Sequence, residues 1–537
     1  MANGNASFSR RSALKLLGLG AGSAIFANLL AACSQSAPAS PTTAPSTAAG
    51  PTSAPTSAPP TTAPTTAPTS APTTPTTAAS PTTAAAVAPT AATSGAATTS
   101  AASAGAVVPS AAKGSLPATT ITIAFFAGPE ADAHVRLAPK FTELTGGKVQ
   151  VKVDQIARDD YDAKWLATMQ SHSTSWDVIH DNASRFKLSG PAGFFAPLDK
   201  FMSNKDLFNA DAFNAGDFPP ALLQLFQYQG KQMLFPQEAS ALMLFYRTDL
   251  LQKYAGIDGP PETGWDWDTL ISLCKSMLPK IQAAGVKNLY PLLLGVKSTS
   301  HAGIHALQSV WGAGQEAFDA TFHPQFSQPK SVDIMTKTTD MLLKDKIVSP
   351  AITGDEYPEV LTAYQQGQAV IALQWNAAAP TVLDPKASPQ TAGKTAFNLY
   401  PYVKAAGPDV NRVYPSVHAV GVSAFGKQQD VAFEYVAWFT SPGTARDYVT
   451  NGGGSSGRKS LLTDPDIVKA NPQYPWLLKG LAQYHAMPDM TADDYVVTNL
   501  LSPDINAIWT GQVPVKDGLA KTDKDITTYL QQKGILK

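Results

Sequence analysis

The chain contains a long segment, residues 34–112, in which no side chain is charged. Alanine, proline, threonine and serine make up almost all of it, in units such as PTTA and PTSA that recur without a strict period. A segment of this composition cannot bury enough apolar surface to offset the entropy that ordering it would cost. We therefore expect residues 34–118 to be a disordered, extended tether, and the folded part of the protein to follow it.

The first 33 residues have the pattern of an export signal. Arg10 and Arg11 form a twin-arginine pair, and an apolar run of about 15 residues follows, shorter than the roughly 20 that a membrane-spanning helix needs. The run ends in LAAC at Cys33, the sequence of a bacterial lipoprotein box. We expect cleavage before Cys33, lipid attachment to its sulfur, and an exported, lipid-anchored protein at the outer face of the cell membrane, on the cell surface or in a periplasm. The alternative, a single-pass anchor followed by an unrelated cysteine, does not fit the length of the run.

Charge and cysteine content exclude several classes of partner. The 537 residues carry a net charge of −1, which provides no strong field to attract nucleic acid or an anionic membrane surface. With Cys33 assigned to lipidation, Cys274 is the remaining thiol, so the fold must rest on a hydrophobic core rather than on disulfides. Cys274 lies in an apolar helical pattern, which predicts a buried, unreactive thiol.

From residue 119 onward the sequence alternates between strand and helix patterns. The patterns predict strands over 121–126, 149–153 and 176–179, and helices over 135–144 and 161–169. This alternation is typical of an α/β fold in which a parallel sheet is covered by helices on both faces. Ligands of such sheets bind beyond the carboxyl ends of the strands, so we expect a site at the loops 127–130 and 180–185.

Five blocks of distinctive sequence follow one another from residue 177 to the C-terminal region. They are DVIHDNASRF with GFFAPLD (177–199), GKQMLFP with LFYRTDL and PPETGWDW (230–267), AYQQGQAVIALQW (363–375), VAFEYVAWFTSP with NGGG (431–454), and GQVPVKDGL (511–519). In this order they resemble the motifs of the family 1 extracellular solute-binding proteins, the oligosaccharide-type relatives of maltose-binding protein. The resemblance covers the whole segment that follows the tether.

The resemblance implies a periplasmic-binding-protein-like fold of two α/β lobes joined by hinge segments, with the ligand bound in the cleft between them. We expect lobe one to comprise residues 119–237 and about 395–440, and lobe two to comprise residues 238–394 and about 441–537. Ligand binding would close the lobes, and the membrane permease of an ABC importer would recognise the closed form. The resemblance therefore implies a monomer that delivers a sugar or oligosaccharide, with no enzymatic activity and no cofactor.

One residue and two short segments depart from the family pattern. Arg247 stands where asparagine is usual, residues 416–418 read SVH in place of GGW, and residues 454–456 read GSS in place of GLP. The last two segments line the cleft in relatives. These departures therefore leave the identity of the ligand open, but they do not change the expected fold.

The resemblance also indicates ligand-binding residues. Trp375 matches the family tryptophan that stacks on the ligand, and Asn376 follows it; the alternative for Trp375 is a core residue at a strand end. Relatives place an acidic sugar-binding residue at the position of Ser240, so we expect the nearby Glu238 to take over that role. The alternative for Glu238 is a solvated charge.

Further candidates follow from their place in the predicted fold. Asp181, Asn182 and Ser184 come just after a predicted strand, where they either bind the ligand or form turn and cap hydrogen bonds. Glu130 either caps the helix that follows the first strand or faces the ligand, and both uses favour a carboxylate.

Two histidines complete the candidate set. His418 lies in a segment that lines the cleft in relatives, and His301 begins a predicted helix from which it can reach the cleft. His301 and His305 also have the i, i+4 spacing of zinc ligands, but no third ligand lies at a recognisable spacing, so we expect no metal.

Aromatic faces, carboxylates and amides are the groups that bind sugars, so this set fits a neutral sugar or polyol best. One alternative is the same fold with another solute, such as glycerol phosphate or a polyamine. The other alternative is a surface-anchored glycan hydrolase, in which Asp181 and Glu238 would be the two carboxylates.

Overall fold

The computed structural model of the protein describes residues 116–485, 487–488 and 490–537. The predicted signal peptide, the lipidation site at Cys33 and the tether as far as residue 115 lie outside these ranges. In the part of the chain that is described, no helix combines the length and the apolar character needed to cross a membrane.

The described residues form a sheet of five strands, a sheet of four strands and a two-stranded hairpin. The strands are β1 (Thr119–Phe126), β2 (Val149–Ile156), β3 (Val178–Asn182), β4 (Gln227–Tyr228), β5 (Lys231–Gln232), β6 (Leu234–Ser240), β7 (Leu242–Arg247), β8 (Tyr290–Leu293), β9 (Ala369–Trp375), β10 (Thr395–Asn398) and β11 (Ser416–Val422).

Helices connect and cover these strands. The α-helices are α1 (Pro129–Leu144), α2 (Arg158–Gln170), α3 (Ala183–Ala192), α4 (Asp199–Met202), α5 (Ala210–Phe213), α6 (Pro220–Gln224), α7 (Thr248–Ala255), α8 (Trp267–Ala283), α9 (Ser300–Gly312), α10 (Pro329–Leu343), α11 (Tyr357–Gln365), α12 (Ala379–Leu383), α13 (Gln429–Phe439), α14 (Pro442–Thr450), α15 (Lys459–Thr463), α16 (Pro465–Ala470), α17 (Tyr474–Leu481), α18 (Asp493–Tyr495), α19 (Ser502–Trp509) and α20 (Val515–Gln532). Single 3-10 turns lie at Ala215–Asp217, Pro350–Thr353 and Asn376–Ala378, and a π-helical segment lies at Val496–Leu501.

The five-stranded sheet forms lobe one and has the strand order β2-β1-β3-β11-β6. β1 is parallel to both β2 and β3, as the strand–helix–strand alternation predicts. β11 is antiparallel to β3 and to β6, so the sheet is mixed rather than wholly parallel. The chain reaches β11 from β10 of the other sheet. β11 is therefore not joined to its neighbours in lobe one by the kind of crossover helix that makes successive strands parallel.

The four-stranded sheet forms lobe two and has the order β10-β7-β9-β8. β7 is antiparallel to β10 and β9, and β8 is parallel to β9. Ala241 alone separates β6 from β7, so the chain passes from one sheet to the other within a single extended segment. The predicted two-lobed α/β fold is confirmed.

Two of the expected lobe boundaries need correction. β10 pairs with β7, so it belongs to lobe two, and the chain returns to lobe one within 399–415 rather than near 395. The segment after 441 also stays on lobe one at first. Asp447 of α14 forms an ion pair with Arg136 of α1 at 3.7 Å, and Nη2 of Arg458 donates to the carbonyl of Phe213 at 2.8 Å. Local periodicity predicts strands and helices but not the distant segments on which they pack, which explains both errors.

Local signals set the ends of the elements that border the site. α1 ends at Leu144, and the following Gly146 and Gly147 have φ values of +61° and +77°, in the left-handed region that glycine adopts readily. The loop expected over 180–185 is instead a strand joined directly to a helix. Asn182 ends β3 and caps α3, because its side-chain oxygen accepts a hydrogen bond from the backbone N–H of Arg185 at 2.9 Å.

Cys274 lies on the buried face of α8 and has no exposed surface. Burial raises the pKa of its thiol, because the charged thiolate is disfavoured away from water. The prediction of a buried cysteine is confirmed.

Candidate functional site

Two carboxyl groups of lobe one meet where the lobes join. Glu130 lies in the first turn of α1, directly after β1, and Glu238 lies in β6, two residues before that strand ends. Each carboxyl group affects the pKa of the other, and both residues are buried, with exposed fractions of 8% for Glu130 and 1% for Glu238. The structure therefore brings together two residues that the sequence indicated separately.

Burial raises the pKa of Glu238 well above its usual range, and the charge and hydrogen bond of Glu130 raise it further. Burial also raises the pKa of Glu130, while the charge of Arg158 and the hydrogen bond from Glu238 act in the opposite direction. The hydroxyl of Tyr448 donates to Oε2 of Glu238 at 3.5 Å. Burial and the neighbouring carboxyl group thus both favour the neutral form of Glu238.

Arg158 is the positive group beside this pair, and the sequence reasoning missed it. It begins α2 directly after β2, just as Glu130 follows β1. Its guanidinium carbon lies 4.1 Å from the centroid of the Phe126 ring. Glu130 and Arg158 thus leave neighbouring parallel strands at the same edge of the sheet. The position directly after a strand is the signal that could have identified Arg158.

Trp375 and His301 lie together in lobe two. Nε1–H of Trp375 donates to Nε2 of His301 at 3.0 Å, and each residue is 8% exposed. Because an indole N–H can only donate, Nε2 carries the lone pair and the neutral imidazole has its proton on Nδ1. Nδ1 lies 3.3 Å from Oε1 of Glu356, and the proximity of His301 lowers the pKa of that carboxyl group. The indole is therefore held by one hydrogen bond to His301, and Glu356 lies on the other side of that imidazole.

Tyr357 links lobe two to the carboxyl pair. It follows Glu356 at the start of α11. Burial raises the pKa of its hydroxyl, and the charges of Glu130 and Glu238 raise it further, while Arg158 opposes them. The charged groups that affect Tyr357 thus belong to lobe one, whereas Tyr357 itself belongs to lobe two. Neither Glu356 nor Tyr357 has a local sequence signal that marks it as a cleft residue.

Ser240 and Asn376 lie at the connection between the lobes. Oδ1 of Asn376 accepts from the hydroxyl of Ser240 at 2.8 Å and from the backbone N–H of Ala241 at 2.6 Å. Its Nδ2 donates to the hydroxyl of Ser455 at 2.9 Å, and that hydroxyl donates to the carbonyl of Ala239 at 2.6 Å. Asn376 therefore ties the end of β9 to the β6–β7 connection. A ligand-binding role for Ser240 and Asn376 remains a prediction.

Asp181 lies inside lobe one rather than at the cleft. It has no exposed surface, and its two oxygens accept from Nε of Arg185 and from the hydroxyl of Ser189, both at 2.5 Å. These contacts correct the expectation that Asp181 binds the ligand. Asn182 is the helix cap described above, and the hydroxyl of Ser184 lies 2.5 Å from a buried tyrosine hydroxyl. For Asn182 and Ser184 a ligand-binding role stays a prediction.

His418 is a neutral neighbour of the carboxyl pair. It stands opposite Glu238 in the pairing of β11 with β6, and its Nδ1 lies 2.8 Å from Nε2 of His180. The two imidazoles stack with centroids 5.0 Å apart. Burial lowers the pKa of His418 to about 3, and the positive charge of Arg158 lowers it further. His418 is therefore uncharged at physiological pH.

His301 and His305 lie one turn apart on α9, at the spacing of zinc ligands. Among the residues that the structure describes, no group of three or more His, Cys, Asp or Glu side chains is arranged to hold a metal ion. His305, one turn after His301, instead lies with its Nδ1 at 3.0 Å from the hydroxyl of Tyr400.

Two α/β lobes joined by short chain connections are the architecture of two-lobed binding proteins. Residues 127–446, more than half of the chain, match the profile of the bacterial extracellular solute-binding proteins, and the chain belongs to that family.

Individual relatives are distant in sequence. A probable amino-acid ABC transporter periplasmic-binding protein of Sinorhizobium fredii, y4oP, is 23% identical over 412 residues, which cover 76% of this chain and 88% of the relative. Maltose-bound MalE3 of T. maritima is similar in structure, with a TM-score of 0.67 and 20% identity over 77% of this chain and all of the other. A solute-binding protein of Agrobacterium radiobacter K84 in complex with ribitol has a TM-score of 0.67 and 21% identity over 77% of this chain and 99% of its own. At such low sequence identity, the similarity in structure establishes only that these proteins share a fold with this chain.

Proposed function

We propose that this protein is the solute-binding component of an ABC importer and that it binds a sugar, oligosaccharide or polyol between its lobes. The observation that carries the proposal is an aromatic residue and a carboxyl pair on the two sides of one hinge. Trp375 precedes Asn376, which bonds to Ser240, and Ser240 lies two residues after Glu238. Aromatic faces pack against the C–H surface of a sugar ring, and carboxyl groups bind its hydroxyls.

Relatives support this ligand class without identifying the ligand. The similar structures include proteins with bound maltose, ribitol and D-mannitol. The name of the Sinorhizobium relative refers instead to amino acids, so amino acids are the second class of solute to test.

Delivery of the solute depends on lobe closure. A ligand that contacts both lobes favours the closed form, because only that form makes both sets of contacts. The short β6–β7 connection and the hydrogen bonds of Asn376 are the hinge around which we expect the lobes to move. The closed monomer is then the form that the permease recognises.

We also propose that the protein is exported through the twin-arginine route and anchored by lipid at Cys33. The supporting observation is the arginine pair followed by a short apolar run and the LAAC sequence. The segment 34–115 would then hold the binding lobes away from the membrane.

Binding requires no chemistry on the solute and no cofactor. A glycan hydrolase needs two carboxyl groups about 5–10 Å apart, with the glycosidic bond between them. Asp181, one of the two carboxylates that a hydrolase would need, has no exposed surface and is bonded to Arg185 and Ser189 inside lobe one. This arrangement favours a binding protein over a hydrolase.

The test is a thermal-shift screen of the full-length chain against sugars, oligosaccharides, polyols and amino acids. A solute that binds the native state raises the melting temperature with its concentration. We expect the rise with a sugar or polyol, and no release of reducing sugar from a glycan panel. A rise with amino acids alone, or turnover of a glycan, would contradict the proposal.

A further inference from the structure

We propose that Lys187 is an interlobe latch, a side chain that holds the two lobes together and so slows the escape of a bound solute. Lys187 lies on α3 of lobe one, and its ammonium group is held by the segment 487–493 of lobe two. The inference goes beyond the proposed function, because it names a residue that acts on lobe closure rather than on the solute. It rests on that function, because closure is what retains the solute.

The ammonium group of Lys187 is surrounded by three oxygens. Nζ donates to the carbonyl oxygen of Met487 at 2.7 Å and to that of Pro488 at 3.0 Å, and it lies 3.3 Å from Oδ2 of Asp493. A lysine ammonium has three donors and no acceptor, so there is one oxygen for each donor. The side chains of Lys187 and Asp493 are only 13% and 4% exposed, so water competes little for these contacts. This distinguishes the contact from exposed ion pairs, which contribute little.

The partners of Lys187 belong to lobe two. Asp493 begins α18, and the π-helical segment after α18 packs against α9 of lobe two. Before the segment, Nε2 of His485 lies 2.8 Å from Oε2 of Glu316, which follows α9. Segment 487–493 is thus attached to lobe two at both ends, and Lys187 reaches it from lobe one.

A second side chain of α3 makes a contact of the same kind. The hydroxyl of Ser184 lies 2.5 Å from the hydroxyl of Tyr414. Tyr414 is attached to α9, because its backbone N–H donates to Oε1 of Gln308 at 3.2 Å and its ring stacks on Trp311 with centroids 6.3 Å apart. Residues three apart on a helix are neighbours on its surface, so Ser184 and Lys187 present one face of α3 to lobe two.

The latch lies at the edge of lobe one that carries the candidate site. α3 begins where β3 ends, and β3 is parallel to β1, so both strands end at the edge where Glu130 follows β1. The β6–β7 connection at Ala241, which we expect to serve as the hinge, is separated from β3 by β11. Opening of the lobes around that connection therefore moves α3 away from segment 487–493 and breaks the bonds of Lys187.

A contact that only the closed form makes stabilises that form and leaves the open form unchanged. Its loss should therefore speed the dissociation of the solute and leave the association rate nearly unchanged. K187M keeps the apolar stem and loses the ammonium group, so we expect about tenfold weaker binding. D493N removes only the charge of one partner and should weaken binding by about threefold.

The first test needs no solute and no variant. An amine-acylating reagent modifies a lysine when its side chain is free in solvent, and mass spectrometry reports the rate at each lysine of the full-length chain. Lys164 is the matched control, because its ammonium pairs with Asp154 inside lobe one at 3.4 Å and its side chain is half exposed. We expect acylation of Lys187 to be at least about tenfold slower than that of Lys164. Equal rates, both without solute and with maltose or D-mannitol present, would overturn the proposal.

The second test is stopped-flow binding of maltose and D-mannitol to the full-length wild type, K187M, D493N and K164M. We expect dissociation from K187M to be about tenfold faster with an unchanged association rate, and K164M to behave like the wild type. A lower melting temperature of K187M with unchanged dissociation would make Lys187 merely structural and overturn the latch. If K187M does not fold, D493N decides by the same comparison.

The two tests separate this inference from the proposed function. If neither maltose nor D-mannitol binds the wild type and an amino acid does, the proposed ligand class is wrong, and the same rates measured with that amino acid decide the latch. If maltose or D-mannitol binds but K187M and K164M release it equally fast, the proposed function stands and the latch is refuted.

Discussion

The indole of Trp375 stands perpendicular to the imidazole of His301, with the ring centroids 6.1 Å apart and the planes at 86°. The edge of the indole, which carries the N–H, is thereby directed at the lone pair of the imidazole. The other imidazole nitrogen, Nδ1, lies 3.3 Å from Oε1 of Glu356. An aromatic side chain held in this way loses little conformational freedom when a ligand packs on it, which favours binding.

Replacing Trp375 with alanine should weaken binding by roughly 30- to 1000-fold, because a buried aromatic anchor contributes about 2–4 kcal/mol. W375F keeps an aromatic face without the N–H and should retain most of the affinity. Calorimetric titration and melting curves on the same samples separate the two possible roles. A loss of about 3–5 kcal/mol in stability with unchanged affinity would make Trp375 a core residue instead.

His301 and His305 form a matched pair for testing the support of the indole. Both are buried on α9, one turn apart, but only His301 contacts Trp375, whereas His305 contacts Tyr400. H301A leaves the indole N–H without its acceptor and should weaken binding by about tenfold, since an unsatisfied buried donor costs about 1–3 kcal/mol. H305A should lower the melting temperature and leave affinity unchanged. Equal effects of the two changes on affinity would argue against a specific role for His301.

Replacing Asn376 with alanine should alter lobe closure. The change removes the acceptor of Ala241 N–H and the donor to Ser455, so the hinge connection is no longer tied to β9. Small-angle scattering should show a decrease in the radius of gyration with ligand for the wild type and a smaller decrease for N376A. N398A is the control, because Asn398 is also buried and bonds to backbone groups, but only within lobe two. An unchanged radius of the wild type at saturation would rule out closure.

Asp181 and Asp162 both pair with Arg185, one buried and one exposed. D181N removes the buried one of the two charge partners of Arg185 and should cost about 3–5 kcal/mol of folding free energy. D162N should cost about 0–1 kcal/mol, since its carboxylate is largely in water. Neither change should alter ligand affinity, measured at a temperature where both variants are folded. A selective loss of affinity in D181N would restore Asp181 to the site.

Replacing Cys33 with serine should release the protein from the membrane fraction, because the thiol that accepts the lipid is gone. Ligand affinity should not change, since the binding lobes begin after residue 115. C274A is the control, because that cysteine is buried in α8, and its variant should stay in the membrane fraction. Persistent membrane association of C33S on fractionation would rule out lipid attachment at this position.

Sequence reasoning located the first strands and helices of lobe one because their periodicity is local. It misplaced β10 because strand pairing is decided by contacts between distant segments. Glu238 and Trp375 were identified by their place in family motifs, and Glu130 by its position after a strand. Asp181 was expected in the site for the same reason, its position near the end of a predicted strand, but its side chain lies inside lobe one. Successive side chains of a strand point to opposite faces, and position along the sequence does not tell which face is buried. Glu356 lies at a helix start in lobe two, and only the tertiary packing of that lobe brings it beside His301.

The position of β11 has a consequence for the order in which this protein is made. β11 lies between β3 and β6, yet it is the last strand of the described chain to leave the ribosome. Until residue 422 has been synthesised, the facing edges of β3 and β6 have no partner between them, and unpaired strand edges are sites of pairing with other chains. A nascent chain released before that point would therefore not form a smaller stable domain. It would expose the unpaired edges of β3 and β6, which can pair with strands of other chains.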